Sequence, residues 1–279
     1  MKIDAHQHFW KYSAEEYDWI DDDMAVLKND FLPEHLEREL RKSDIDAAVA
    51  VQARCTVEET DWLLQLADEN DSVAGVVGWL DLKSDGLESQ LKQYVDNPHF
   101  LGLREILQGQ EPEFMLDEKF IAGLKTLAKY DVAYDILVFP RHLTAVRELL
   151  TQLPAQRLII DHLAKPRIAA GFIDEWAEDI RAIAKHENVY MKLSGMVTEA
   201  APDWTESDFQ QYMEVIFEAF GEDRILYGSD WPVCLLRAEY SQVCDLARNF
   251  VKNYSTTAEE KVFGLNAQKF YKIQEKSYV

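Results

Sequence analysis

The feature that most constrains the fold is a regular alternation between short apolar runs and longer amphipathic segments. The apolar runs predict eight strands, within residues 2–10, 46–54, 73–80, 100–105, 132–138, 157–162, 189–194 and 225–230. Helical periodicity predicts a helix that begins at Pro33 and further helices over 56–69, 87–95, 118–130, 140–153, 172–185, 208–220, 235–254 and 258–271. Strands that alternate with helices pair in parallel through right-handed crossovers. The pattern therefore predicts a (β/α)8 TIM barrel.

Length and continuity favour one domain. The chain has 279 residues, and a barrel of this kind needs about 250. No internal repeat, low-complexity linker or change in composition divides the sequence, so a single domain over residues 1–279 is expected. An open doubly wound sheet is the alternative fold. It would carry a glycine-rich phosphate turn after its first strand, where this chain has His6, Gln7 and His8.

The charge of the chain narrows the range of partners. There are 51 acidic residues against 29 basic ones, which gives a formal net charge of −22. Such a surface repels phosphate backbones and anionic lipids, so neither nucleic acid nor a membrane is expected as a partner. A small molecule, held locally by arginine or lysine, is the expected ligand. The sequence leaves the oligomeric state open, and a homo-oligomer is compatible with it.

The cysteines and the N-terminus bear on the compartment. Cys55, Cys234 and Cys244 are odd in number and form no CxxC motif, which is typical of a reducing environment. The first residues already belong to a predicted strand and show no basic and apolar leader pattern. No apolar run approaches the roughly 18 residues of a membrane span. A cytoplasmic location is therefore expected.

Two strand ends carry metal-ligand chemistry. His6 and His8 are two residues apart on one strand, so their imidazoles share a face and can hold one divalent cation. Two unrelated surface histidines are the plain alternative for such a pair. Asp230 ends the last apolar run, and a closed barrel would bring it beside the histidine pair. Asp230 is then the sharpest candidate for a metal ligand, a general base, or both.

Other polar residues also lie at predicted strand ends, where barrel enzymes place their active sites. They are Gln52, Arg54, Asp81, Arg104, Glu105, Asp135, Asp161, His162 and Ser194. Arg104 is either a surface ion-pair partner or a functional cation, and Asp135 is either a buried, satisfied acid or a functional one. Alternation along the strand lets only one of Asp161 and His162 face the barrel axis. We expect His162 to face it and Asp161 to brace a neighbouring helix.

Together these residues suit acyl hydrolysis. A metal ion or a base at Asp230 would activate water, and Arg104, His162 or Lys165 would stabilise the oxyanion. The sequence contains no GxSxG elbow, P-loop or GxGxxG motif, so serine-nucleophile and nucleotide chemistry have no support. The polar, aromatic stretch 12–31 is either a lid over the site or a solvated connector.

Four motifs resemble those of a known family. They are 4-DAHQHFW-10, 101-LGLR-104, 161-DHLAKP-166 and 227-YGSDWP-232. The chain resembles the amidohydrolase superfamily, in the amidohydrolase 2 branch that includes sugar-acid lactonases such as L-fuconolactonase and L-rhamnonolactonase. The resemblance implies a barrel that hydrolyses a lactone to a hydroxy acid. It implies the metal ligands His6 and His8, with His162 on the sixth strand and Asp230 as the base. It also implies that Arg104 and Lys165 contact the carbonyl side of the lactone and that Gln52, Trp231 and Tyr17 line the sugar. The residues themselves add Asp230 as a further metal ligand, Arg104 and His162 as catalytic residues, and Asp135, a carboxylate inside an apolar run, as a substrate-binding candidate.

The resemblance also bears on the cofactor. Two-metal members bridge their ions with a carboxylated lysine or a glutamate on the fourth strand and add a histidine on the fifth. Here those strands carry Arg104 and Asp135, so a binuclear centre is not expected. One divalent metal ion, with zinc as the expected identity, is favoured. Catalysis without a required metal stays open, because a lactone is an activated ester.

Two other functions remain open at this point. Related barrels decarboxylate aromatic or unsaturated acids with the help of a metal, although the 161–166 and 227–232 motifs argue against that reaction here. A barrel that binds a sugar acid without catalysis is the second. The simultaneous presence of His6, His8, His162 and Asp230 makes it improbable.

Overall fold

Eight parallel strands form the wall of a barrel in the computed structural model, which describes residues 1–273. They are β1 (Ile3–Gln7), β2 (Ala47–Val51), β3 (Val73–Gly78), β4 (Phe100–Glu105), β5 (Ala133–Ile136), β6 (Leu158–Ile160), β7 (Val189–Leu193) and β8 (Ile225–Tyr227). Each strand pairs in parallel with the next along the chain. The predicted (β/α)8 TIM barrel is confirmed.

Helices follow the strands and cover the outer face of the sheet, except for the last helix, which packs against one end of the barrel. They are α1 (Pro33–Lys42), α2 (Val57–Glu69), α3 (Leu87–Leu91), α4 (Glu118–Lys129), α5 (Leu143–Gln152), α6 (Asp174–Ile183), α7 (Glu206–Phe220), α8 (Tyr240–Tyr254), α9 (Ala258–Glu260) and α10 (Asn266–Tyr271). A π-helical turn, Lys261–Leu265, joins the last two. Within the described residues, no helix combines the length and apolarity that crossing a membrane requires.

Capping residues set several helix boundaries. Thr56 accepts a hydrogen bond from the amide of Glu59 and starts α2, and Asp117 accepts two from the first turn of α4. The helix predicted to begin at residue 235 begins instead at Tyr240. A 3-10 turn, Val233–Leu236, precedes it, and the Gln242 side chain accepts a hydrogen bond from the amide of Glu239. The sequence pattern did not separate this turn from the helix.

Apolar side chains fill the barrel interior at the N-terminal end of the strands. They include Ile3, Val49, Val77, Leu101, Ala133, Ile159 and Leu226. The C-terminal helix α10 contributes Phe270 and Tyr271 to this cluster, and the Phe270 carbonyl accepts a hydrogen bond from Arg157, which precedes β6. Helix α10 therefore plugs this end of the barrel. The site-forming polar residues are left for the opposite end.

Residues at the ends of β8 and β1 close the barrel. The amide of Asp230 donates to the carbonyl of His6 over 2.8 Å, and the amide of His8 donates to the carbonyl of Trp231 over 2.7 Å. The register of β1 shifts by a bulge between Asp4 and Gln7. The Asp4 carboxylate braces this closure seam, since it accepts hydrogen bonds from Ser229 and from Tyr240 on α8. Closure thus places Asp230 between the two histidines.

Candidate active site

A cavity of about 860 Å³ opens at the C-terminal end of the strands. Among the residues predicted for the site, His8, Arg104, His162, Lys165 and Asp230 line it. The segment between β1 and α1 covers one side with Asp18, Trp19 and Met24, so the stretch 12–31 does lie over the mouth of the barrel. The cavity is large enough for a small ring with several hydroxyl groups and its attacking water.

The two histidines of β1 and Asp230 form one cluster. His6 Nε2 lies 3.2 Å from His8 Nε2 and 3.8 Å from Asp230 Oδ1. His8 Nε2 lies 3.4 Å from the same carboxylate oxygen. All three side chains are almost fully buried, and their nitrogen and oxygen atoms lie close enough together to hold one metal ion.

The hydrogen bond of His8 settles which of its nitrogens faces the cluster. His8 Nδ1 lies 2.8 Å from the carbonyl oxygen of Val51, which can only accept, so Nδ1 carries the proton. Nε2 is then the nitrogen that faces Asp230, an arrangement also found in metal-binding histidines whose other nitrogen is held by a backbone carbonyl. Two imidazoles and a carboxylate are a donor set typical of a divalent metal, and these residues fit one.

His162 reaches the same carboxylate, and its ring lies 4.4 Å from that of His6 between centroids. Its Nε2 lies 3.7 Å from Asp230 Oδ1, and its Nδ1 lies 2.8 Å from the hydroxyl of Ser194 at the end of β7. Gly195 follows in the left-handed region, with φ of +62°. A Cβ atom there would lie 2.5 Å from His162 Nδ1, so only glycine leaves room for the imidazole ring.

The expectation that Asp161 braces a helix is wrong. Strand β6 ends at Ile160, and His162, Leu163, Ala164 and Lys165 all have left-handed φ angles between 51° and 57°. Strand alternation therefore stops before this pair. Both Asp161 and His162 turn towards the barrel interior, and Asp161 Oδ1 lies 3.5 Å from His6 Nδ1.

Arg104 projects from β4 beside the cluster. It is held on two sides, because its guanidinium donates to Gln52 at the end of β2 and over 3.0 Å to Asp161. Its Nη1 lies 3.3 Å from His6 Nε2. Arg104 is only 4% exposed, so it is not the surface ion-pair partner that the sequence left open as one alternative. A fixed, buried guanidinium with one face on a cavity is suited to hold an anion or a polarised carbonyl.

Four residues assigned to substrate binding lie behind the cavity wall. Gln52 is fully buried and holds Arg104. Tyr17 and Trp231 are also buried, the first against Trp10 and the second against Phe31. Asp135 lies inside the barrel and accepts hydrogen bonds from Lys192 and Tyr271, so it is a satisfied acid.

Lys192 is the residue that sequence reasoning missed. It lies in the middle of β7, has no solvent exposure, and contacts His6, Asp135 and Asp161. The sequence did contain a signal, namely a lysine inside an apolar strand. Burying a charged lysine is energetically unfavourable unless an acidic partner lies beside it. Glu199 and Arg237 also line the cavity and were not predicted.

Burial and mutual contact set the charges of the site. Burial lowers the pKa of His162 to about 4 and that of His6 well below its ordinary value, so both imidazoles are neutral at neutral pH. Burial alone would raise the pKa of Asp230, but the adjacent His162, His8 and His6 outweigh it and hold that pKa below its usual range. Asp230 is therefore an ionised carboxylate beside the neutral imidazoles of His6 and His162.

Comparison with known proteins places the chain in a family. A family model described as amidohydrolase matches residues 3–273. The L-fucono-1,5-lactonase of Burkholderia ambifaria is 35% identical over 288 residues, which cover 99% of this chain and 97% of that protein. The L-fucono-1,5-lactonase of Burkholderia multivorans is 36% identical over 290 residues, with the same coverage.

A solved structure agrees with both sequence matches. The crystal structure of an amidohydrolase from Burkholderia multivorans with bound zinc superposes with a TM-score of 0.95 at 35% identity and covers 98% of this chain and 100% of that one. The barrel, the strand-end histidines with Asp230, and these nearly full-length matches lead to one conclusion: the chain belongs to the amidohydrolase family.

Proposed function

We propose that the protein is a lactonase that hydrolyses a sugar-derived lactone to the corresponding hydroxy acid. The observation that carries the proposal is the joint presence of a buried carboxylate, Asp230, and a fixed guanidinium, Arg104, in the wall of one cavity. The nearly full-length similarity to two L-fucono-1,5-lactonases supports L-fucono-1,5-lactone, or a close stereochemical relative, as the substrate.

In the proposed mechanism Asp230 accepts a proton from the attacking water. The water oxygen forms a bond to the lactone carbonyl carbon, and the carbonyl oxygen becomes an oxyanion. When the ring C–O bond breaks, the proton on Asp230 passes to the leaving alkoxide, which becomes the free hydroxyl of the product. The lowered pKa of Asp230 favours the ionised carboxylate, which is the form that can accept a proton.

Arg104 is the proposed oxyanion partner, with His162 beside it. Because Gln52 and Asp161 hold the guanidinium before substrate arrives, little reorganisation is needed when the negative charge develops. Lys165, which lines the same cavity, is proposed to bind oxygen atoms on the carbonyl side of the lactone. Gln52 and Asp135, behind the wall, support these groups without touching substrate.

His6, His8 and Asp230 would hold a metal ion where one is present, and zinc suits their donor atoms. A divalent cation bound there would polarise the lactone carbonyl. In the proposed mechanism Asp230 transfers the proton and Arg104 binds the oxyanion, whether or not a metal ion is present. Whether these three residues can bind a metal ion and whether hydrolysis requires one are therefore separate questions.

Trp19 is a candidate for contact with the sugar ring of the substrate. It lines the cavity and is 37% exposed, whereas Tyr17 is buried behind it. An aromatic ring at the mouth can lie against the C–H face of a sugar ring, and the neighbouring carboxylate of Asp18 can accept hydrogen bonds from its hydroxyl groups.

The experiment is a hydrolysis assay with a pH indicator against a panel of lactones. The panel holds L-fucono-, L-rhamnono-, galactono- and arabinono-lactones as their 1,4 and 1,5 forms, with and without a chelator. We expect turnover of one stereochemical series, with the fucono form among the best substrates. Activity that survives the chelator would show that a metal is not essential.

Failure of the whole panel would overturn the proposal. Release of carbon dioxide from an aromatic or unsaturated acid by the same preparation would instead indicate a decarboxylase. Tight binding of a sugar acid without turnover would indicate a barrel that only binds.

A further inference from the structure

Lys192 lies at the centre of a set of donor atoms from three strands. Its ammonium group donates a hydrogen bond to Asp135 on β5. It lies 3.1 Å from Asp161 Oδ1, after β6, and 3.1 Å from His6 Nδ1 on β1. Lys192, Asp135 and Asp161 are all fully buried, so water does not compete for these contacts.

The atoms around this ammonium group are metal-ligand atoms. Carboxylate oxygens are donors that proteins offer to manganese. Oxygens of Asp135 and Asp161 converge on the ammonium nitrogen of Lys192, so a cation of the chain itself lies where they could bind a metal ion. The oxygen Asp161 Oδ1 has no hydrogen bond of good geometry among the described residues, which leaves it able to coordinate a cation.

The charges in this region balance only with Lys192. Asp135 and Asp161 bring two negative charges into the barrel, and Lys192 and Arg104 bring two positive ones. A neutral residue at 192 would leave one buried carboxylate without a counter-charge, which is strongly unfavourable. The vacated space and the uncompensated charge would both favour a divalent cation.

We propose that Lys192 is an internal counter-ion: its ammonium group occupies a site between the carboxylates of Asp135 and Asp161 and keeps a divalent cation out of that position. The site is separate from the cluster on the other edge of the His6 ring, because Lys192 contacts Nδ1 whereas Asp230 and His8 face Nε2. Lys192 is then a positioning residue, which holds Asp161 in place for its contact with Arg104.

The test is to remove the charge of Lys192 and count bound manganese. Lys192→Met, Lys192→Arg, the wild type and Lys185→Met, a matched change at an exposed lysine, are incubated with manganese chloride and desalted, and their metal content is measured by mass spectrometry. We expect Lys192→Met to retain roughly one more Mn²⁺ per chain than the other three proteins. Adding Asp135→Asn to Lys192→Met should remove that gain.

A thermal measurement supplies a second readout. Manganese should raise the unfolding midpoint of Lys192→Met more than that of the wild type, because the ion replaces the missing counter-charge. Lys192→Gln takes the place of the methionine variant if that variant does not fold. A neutral variant with wild-type manganese content and a wild-type response to manganese overturns the proposal. Neither readout depends on lactonase activity, so the two proposals fail independently.

Discussion

At the scale of single residues, the site is a balance of buried charges. Asp230 carries a negative charge beside the neutral imidazoles of His6 and His162, while Arg104 and Lys192 each neutralise carboxylates nearby. Because these groups are out of contact with bulk water, the loss of one partner leaves another unpaired and costs more than the lost contact itself. The expected effect of a substitution therefore depends on the neighbour it leaves behind.

Asp230→Asn should remove turnover and leave the fold intact. The amide cannot accept the proton from water, so kcat is expected to fall by about a thousandfold or more, within the range for loss of a general base. Asp23→Asn, at an exposed acid that lines the same cavity, should retain activity within a few fold. Steady-state kinetics with the best lactone and circular dichroism check both variants. Full activity in Asp230→Asn would contradict the mechanism.

Spacing alone predicted part of the site. His6 and His8 share a face because they are two residues apart. The bulge between Asp4 and Gln7 does not move them apart, since their Nε2 atoms lie 3.2 Å from each other. Lys192 could not be placed, because its orientation depends on the strand register that pairs β6 with β7. The strand-alternation rule failed at Asp161, since backbone handedness is not visible in residue types.

At the scale of elements, the turn after β6 stores backbone strain at the site. His162, Leu163, Ala164 and Lys165 are four consecutive left-handed residues, and none is glycine. Each costs roughly 1–2 kcal/mol relative to a right-handed conformation. Trp176 on α6 holds the turn, because its indole donates to the Leu163 carbonyl over 2.7 Å. The turn directs the His162 imidazole towards Asp230.

Glycine should be tolerated unusually well in this turn. Ala164→Gly relieves left-handed strain, whereas Ala177→Gly, at a buried alanine in the right-handed helix α6, relieves none. We expect Ala177→Gly to lower the free energy of unfolding by about 1–2 kcal/mol and Ala164→Gly to lower it by about 1 kcal/mol less. Urea denaturation of the two variants measures the difference. Equal losses would mean that the turn is not strained.

Helix α2 carries a buried acid that makes stability depend on pH. Glu59 accepts hydrogen bonds from the amides of Ala53 and Arg54, just after β2. Burial raises the pKa of Glu59 from 4.5 to about 7, because these two hydrogen bonds compensate only in part. The folded protein therefore keeps a proton that the unfolded chain has already lost between these two pH values.

Because the folded protein holds this extra proton, its stability decreases as the pH rises. The contribution of Glu59 to stability is fully present below about pH 4.5 and is lost as the pH rises through 7, a decline of about 3 kcal/mol. Glu59→Gln should remove this part of the pH dependence. Unfolding midpoints measured from pH 5 to 8 test it, with Glu58→Gln at the preceding, exposed position as the control. Parallel profiles for Glu59→Gln and the wild type would contradict the assignment.

At the scale of the whole molecule, the C-terminal plug is connected to the active site. Tyr271 on α10 donates to Asp135, which accepts from Lys192, which in turn contacts His6. The sequence predicted a helix over 258–271 and a functional or satisfied Asp135, but it held no sign that the two would meet. Long-range pairing of this kind depends on how the chain closes, which local patterns do not encode.

Tyr271→Phe should destabilise the fold. It removes a hydrogen bond to a buried carboxylate, and the free energy of unfolding should fall by about 1–3 kcal/mol. Tyr190→Phe is the matched control, because Tyr190 is half-buried and packs against Phe270 of the same plug. Its effect should stay within about 0.5 kcal/mol. Chemical denaturation compares the two, and an equal effect in both variants would contradict the role of the Tyr271 hydroxyl.

The order of the elements was predictable, whereas their ends and the loops were not. Eight apolar runs gave eight strands, because each needs burial on both faces of the sheet. The sequence left open whether the segment 12–31 is a lid or a solvated connector. In the structure it lies over the site, where Tyr17 packs against Trp10 and Trp19 faces the cavity. The choice between two nearby aromatic residues depends on loop packing, which has no sequence period.

The seam between β8 and β1 has a consequence for synthesis of the chain. Ser229 and Asp4, which are joined by a hydrogen bond, are 225 positions apart. A polypeptide emerging from the ribosome exposes His6 and His8 long before Asp230 exists, so no product that ends before Asp230 can assemble the cluster. The hydrogen bonds that close the barrel also bring Asp230 to the histidines. Every chain that has acquired the cluster has therefore been synthesised at least as far as Asp230.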